Sequence, residues 1–133
     1  MRNVYYLSNP KVSMAYVDGF VIALPKKNLK AYRKMAAQGM RVWMKHGAVA
    51  YAECMGDDLK NFPGTMSFKK LAKLKTGEVP MFSYIVFKNK AHRNAVNKKV
   101  MAELMKGKAP AKMPFDMKRM AYAGFKSIAY RSK

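Results

Sequence analysis

Apolar positions recur at two different spacings along this 133-residue chain, and the changes of spacing predict its elements. From Tyr16 to Leu24 nearly every residue is apolar, with only Asp18 and Gly19 breaking the run, which predicts a buried strand ended by Pro25. Over residues 27–46, Leu29, Tyr32, Ala36, Met40 and Trp43 repeat at three and four, the period of a helix. Lys27, Lys30, Lys34, Arg41 and Lys45 fall mainly off that stripe, and Gly47 after His46 is a C-terminal stop. Ala48 to Met55 reads as a strand with Val49, Tyr51, Glu53 and Met55 on one face. A loop from Gly56 follows, and Ser67 can cap a short helix over Phe68 to Lys73, where a strand is the alternative. After a turn at Thr76-Gly77, Met81 to Lys88 alternates as a strand, with Phe82, Tyr84 and Val86 opposite Ser83, Ile85 and Phe87. Asn89 can cap a helix over Lys90 to Met105, along which Val96, Val100 and Leu104 stack. A Lys/Pro/Gly loop leads to a last strand, Lys118 to Tyr130.

The order strand, helix, strand, loop, strand, helix, strand makes two βαβ halves. This predicts an α+β domain of ferredoxin-like βαβ-βαβ topology with an antiparallel sheet. Residues 14–133 form that single domain; residues 1–13 read as an N-terminal extension in which Tyr5, Tyr6 and Leu7 form a short strand before Asn9-Pro10. Two helices cover one face of a four-stranded sheet. The other face is left apolar, with Phe20, Tyr51 and Tyr84 in need of cover, and a second copy packed face to face is the expected cover.

Composition changes the picture mainly through charge. There are 27 Lys and Arg against 7 Asp and Glu, a net +20. Residues 1–60 hold 10 basic against 4 acidic side chains, and residues 61–133 hold 17 against 3, so the excess leans toward the C-terminal half. Such a surface attracts polyanions. Lys98, Lys99, Lys106, Lys108 and Lys112 are its densest run, yet no Gly-rich phosphate loop, zinc-finger spacing or aromatic RNA-binding motif accompanies it, so nucleic acid ranks second as a partner. No apolar run reaches the roughly 20 residues that span a bilayer, which predicts no membrane insertion. With 1 cysteine no intrachain disulfide can form, and no secretory signal precedes Asn9-Pro10; the expected location is cytoplasmic. Two histidines without ligand spacing predict no metal site, and no cofactor motif is present.

The candidate chemistry is small in amount. Asp18 is a carboxylate inside an apolar strand, a candidate base or anchor, or else a paired structural acid. Glu53 shares a strand face with Tyr51 and joins Asp18 in one cleft if their strands are neighbours; among so many lysines, an ion pair is its favoured role. His46 at a helix C-terminus is a third candidate, with capping as the alternative. Tyr84, Phe115 and Arg119 are candidates for ligand contact. The segment Met113 to Arg119 is expected either to line a mouth or, through Phe115, to anchor a dimer. Cys54 and the 13 methionines read as core packing, Met40, Met55 and Met101 included.

Five separated blocks carry a family likeness: Tyr16-Val17-Asp18-Gly19-Phe20-Val21; Pro25 through Arg33; His46-Gly47-Ala48; Glu53-Cys54 with Gly56-Asp57-Asp58; and Met113-Pro114-Phe115-Asp116 with Lys118-Arg119-Met120 and Gly124-Phe125. Over about residues 14–128 the chain resembles the YbaA-like family of small bacterial proteins of unknown function. The resemblance implies a dimeric α/β barrel of ferredoxin-like subunits and brings no activity with it. Residues 1–13 and the strongly basic surface depart from the family pattern. Two functions are therefore expected in order: a homodimer binding a small molecule between sheet and helices, with turnover left open, then a binder of nucleic acid or another anionic surface.

Overall fold

A computed structural model describes residues 14–107 and 112–133; the strand expected at Tyr5 to Leu7 and the position of Lys108 lie outside them. The elements are β1 (Tyr16–Pro25), α1 (Leu29–Lys45), β2 (Ala50–Met55), α2 (Phe68–Leu71), β3 (Glu78–Phe87), α3 (Lys90–Lys106) and β4 (Ala121–Lys126), with single 3₁₀ turns at Lys26–Asn28 and Met117–Arg119. The α+β class is as expected: the strands form one open antiparallel sheet in the order β2-β3-β1-β4.

Local chemistry sets the ends of these elements. Gly47, at φ 108°, closes α1: its N–H donates to Met44 O, and the Ala48 N–H donates to Trp43 O, satisfying the last carbonyls. Ser67 and Asn89 cap α2 and α3 as their positions predict, accepting from Lys70 N–H and His92 N–H. β3 begins three residues before its expected start at Met81, running through Pro80. The Pro80 carbonyl accepts from Gly56 N–H, so the missing proline N–H also faces that side, past the end of β2, and no ladder bond to β1 is lost. The last strand is shorter than expected. Asp116 holds a 3₁₀ turn before it, and it ends where its partner β1 begins, at the pair Tyr16–Lys126.

Rows of the ladder decide what meets the helices. Tyr122, Phe20, Ser83 and Glu53 lie side by side across the four strands, and Gly124, Asp18, Ile85 and Tyr51 form the next row. Both rows face α1 and α3. On either side of them lie two apolar clusters, one around Ile22, Leu24, Tyr32, Met81 and Phe115, the other around Val42, Ile85, Phe87, Val96 and Val100. Phe20 and Tyr51 are thus core-side residues and not part of the uncovered face, because their registers alternate with Tyr84.

The opposite face carries no charged side chain apart from Glu78 at the end of β3; Val21, Ala52, Phe82, Tyr84, Ala123 and Phe125 are among its residues. α2 packs at one corner, Phe68 meeting the edge of Phe82 at 6.3 Å. Cys54, expected to be buried, is exposed there because none of the described residues covers that part of the sheet. Met40, Met55 and Met101 are also exposed, against expectation. In α1 the inward stripe runs through Tyr32, Met35, Ala36, Gly39 and Val42, which turns Met40 outward. Among the described residues, no helix is long and apolar enough to cross a membrane.

Candidate functional site

Glu53 stands at the edge of the sheet on β2, half-buried under α1. Three hydroxyls point at its carboxylate: Tyr32 of α1 donates to Oε1 at 2.5 Å, Tyr51 to Oε2 at 2.6 Å, and Ser83 of β3 to Oε1. Burial, reinforced by the bond each makes to Glu53, pushes the phenols of Tyr32 and Tyr51 above the ordinary tyrosine range, so both remain protonated donors at neutral pH.

The expected lysine partner for Glu53 is not there. Among the described residues, no Lys, Arg or His nitrogen lies within 4.0 Å of it. The other acids held in strands and helices all have one: Asp18 with Arg93, Glu78 with Arg119, Glu103 with Lys45 and His46. Chain-wide charge ratios did not decide this case because the neighbours of an inward strand position come from the core, which is poor in lysine. Glu53 also lines a pocket of about 240 Å³ with Tyr32, Arg33, Leu29, Ala36, Met55 and Met81. A larger pocket of about 300 Å³ opens beside Cys54, Phe68 and Phe82; its acids, Asp57 and Asp58, lie exposed on a loop.

Asp18 occupies a separate site. It does not share a cleft with Glu53 because β3 lies between their strands, which puts the two backbones about 10 Å apart. Asp18 is 1% exposed and receives Asn97 Nδ2 at 3.2 Å. Arg93 Nε lies 3.2 Å from its Oδ1, close enough for an ion pair but misaligned for a hydrogen bond, and neither atom has another hydrogen-bonding partner. Burial opposes the Arg93 charge, and the Asp18 carboxylate and Tyr16 hydroxyl hold its pKa above the usual value. Tyr122 beside it is pushed up by burial and by the Asp18 charge. The helices join the two sites: Trp43 Nε1 donates to Asn97 Oδ1 at 2.9 Å, while its ring lies 6.0 Å from that of Tyr51.

The remaining candidates lie apart from both carboxylates. His46, at the end of α1, places Nε2 2.8 Å from Glu103, which also accepts from Lys45; these two bonds hold the Glu103 pKa low. Tyr84 is on the uncovered sheet face beside Phe82. Phe115 is buried and packs on the Tyr32 ring at 5.9 Å, so it supports the pocket wall from behind and offers no exposed anchor. Arg119 clasps Glu78 through two bonds of 2.6 and 2.8 Å and donates to Lys73 O, strapping the start of β3.

Sequence reasoning passed over Tyr32, Ser83, Arg93 and Asn97. Ser83 carried a usable signal, a polar residue on the inward face of an apolar strand. Two glycines were also missed. A Cβ at Gly39 would lie 2.8 Å from the Tyr51 hydroxyl, and one at Gly124 would run into the Arg93 guanidinium and the Tyr16 hydroxyl it donates to, so each glycine keeps space for one carboxylate's partner.

Residues 15–117 match a protein family described as "Protein of unknown function (DUF1428)". The chain is 39% identical over 115 residues to "Uncharacterized protein YbaA" of Escherichia coli strain K12, covering 86% of this chain and 97% of that protein. The Shigella flexneri protein of the same name gives the same figures. Among solved structures, "De novo designed protein Foldit4" aligns over 85% of this chain and 96% of that one at 11% identity and a TM-score of 0.41, too low to carry an argument.

Proposed function

The chain belongs to this family of proteins of unknown function, as the resemblance read from its sequence implied, and on that premise we propose that it binds a small molecule between α1 and the sheet, at Glu53. The observation that carries the proposal is a carboxylate with no basic partner among the described residues, held by three hydroxyls beside a pocket of about 240 Å³. A carboxylate serving stability alone is usually paired with a cation, as Asp18, Glu78 and Glu103 are here. Fixed hydroxyls around a carboxylate are what a binding or proton-accepting group needs to stay aimed at a pocket. The test is extraction and mass identification of whatever co-purifies with the protein from its native host. A bound molecule at one per pocket, absent from a folded Glu53→Leu variant, supports the proposal; equal loading of both proteins refutes it.

The same reading includes a homodimer in which two uncovered sheet faces pack together, giving a dimeric α/β barrel. The strand order β2-β3-β1-β4 with helical crossovers supports the ferredoxin-like subunit that this requires. The nearly charge-free face of a +20 chain supports burial against a second copy.

A second reading has one observation behind it. The exposed sides of α1 and α3 carry Lys30, Arg33, Lys34, Arg41, Lys45, Lys90, Lys98, Lys99 and Lys106, against the single acid Glu103. This basic face draws on both halves of the chain and suits a polyanion. Affinity falling log-linearly and steeply with salt would support it; no retention on duplex DNA at low salt would remove it.

A further inference from the structure

An ionised carboxylate offers about four acceptor positions. At Glu53, Tyr32 and Ser83 occupy two on Oε1 and Tyr51 one on Oε2, which among the described residues leaves one open on Oε2. Whatever fills it must donate a hydrogen bond; a carboxylate or phosphate head would meet like charge. A protonated amine suits the position better than a neutral hydroxyl, since it adds the attraction of opposite charges to a hydrogen bond that the ionised acceptor already strengthens. A simple cation, however, must approach a chain of net charge +20 and pass Arg33, which lines the same pocket and has no acidic side chain within 4.0 Å among the described residues. An anionic group at the far end of the ligand removes the long-range repulsion and gives Arg33 a partner. Leu29, Ala36, Met55 and Met81 line the space with apolar surface, and about 240 Å³ suits a metabolite of amino-acid size.

We propose that the Glu53 pocket takes a small zwitterion, with its ammonium on Glu53 Oε2, its apolar chain against Met55 and Met81, and its anionic end toward Arg33. This rests on the reading of the pocket as a ligand site. Four probes of one chain length separate the two ideas: 6-aminohexanoate, hexylamine, hexanoate and 1-hexanol, titrated against protein carrying ¹³C-labelled methionine methyls. The expected result is that 6-aminohexanoate binds most tightly and shifts the Met55 and Met81 methyls. Glu53→Gln should weaken it about tenfold or more through loss of the charge-assisted bond, and the exposed Arg33→Gln about threefold. Binding of any other probe equally or more tightly, with shifts at those methyls, overturns the zwitterion and leaves the pocket standing. So does an affinity for 6-aminohexanoate that neither variant changes. If none of the four probes moves Met55 or Met81, the pocket reading falls as well.

Discussion

Gly39 of α1 faces the Tyr51 hydroxyl so closely that a methyl group added there would lie 2.8 Å from the oxygen that donates to Glu53. Elsewhere in a helix, glycine costs about 1 kcal/mol relative to alanine. At this position Gly39→Ala forces the Tyr51 ring out of its place between Trp43 and Glu53. The expected outcome is a lower melting temperature and weaker 6-aminohexanoate binding, despite the gain in helix propensity. A rise in melting temperature with unchanged binding counts against this role for Gly39.

Among the described residues Asp18 and Arg93 are each other's only ion-pair partner, and Asp18 is fully buried. Removing one partner strands the other: Asp18→Asn and Arg93→Met should each cost about 3–5 kcal/mol in urea unfolding. The double variant Asp18→Asn/Arg93→Met should recover a large part of that loss. If the single-variant costs simply add, the pair is not coupled. Because Asp18 lies apart from the pocket, Asp18→Asn protein that remains folded should keep its affinity for 6-aminohexanoate.

Acid sensitivity should trace to Glu78. Two hydrogen bonds from Arg119, opposed by partial burial, lower its pKa from the ordinary 4.5 to about 2. Its folded-state value is depressed, so the stabilisation is complete above pH 4.5 and is lost as pH falls from there toward 2. The loss should be about 1–2 kcal/mol once solvent screening is allowed for. Arg119→Gln should flatten the stability profile across that window, measured by urea unfolding at successive pH values; a profile unchanged by the substitution would place the acid lability elsewhere.

Much of the fold was legible in the chain because local chemistry agreed with tertiary packing. Gly47, Ser67 and Asn89 mark helix ends by their own side-chain or backbone properties, and each does so in the structure. The alternation over Met81 to Phe87 needed only the pleat. What was not legible depends on which strands become neighbours. The separation of Asp18 from Glu53 follows from the insertion of β3 between β1 and β2, which belongs to the expected topology but has no mark in the residues around either carboxylate. The Tyr32, Tyr51 and Ser83 cage likewise draws on a helix and two strands far apart in sequence. Met40 misled for a different reason. A methionine one step off the stripe reads as core until Gly39 is recognised as part of the inward face.

The uncovered sheet face gives a prediction about assembly. Light scattering at micromolar concentration should give twice the 15.1 kDa chain mass. Ala52→Glu, halfway along the edge strand β2 on that face, should shift the protein to monomer by placing a charge where two sheets meet. A monomeric wild-type protein would remove the dimeric barrel.

The central claim is that Glu53 is kept without a cation so that a ligand can supply one. A high-resolution crystal structure of protein purified gently from its native host tests it most directly. The prediction is density for a small molecule between Leu29, Met55 and Met81, with a donor atom within hydrogen-bonding distance of Glu53 Oε2. A closed pocket, with a lysine or arginine of the chain itself seated on Glu53, would contradict it.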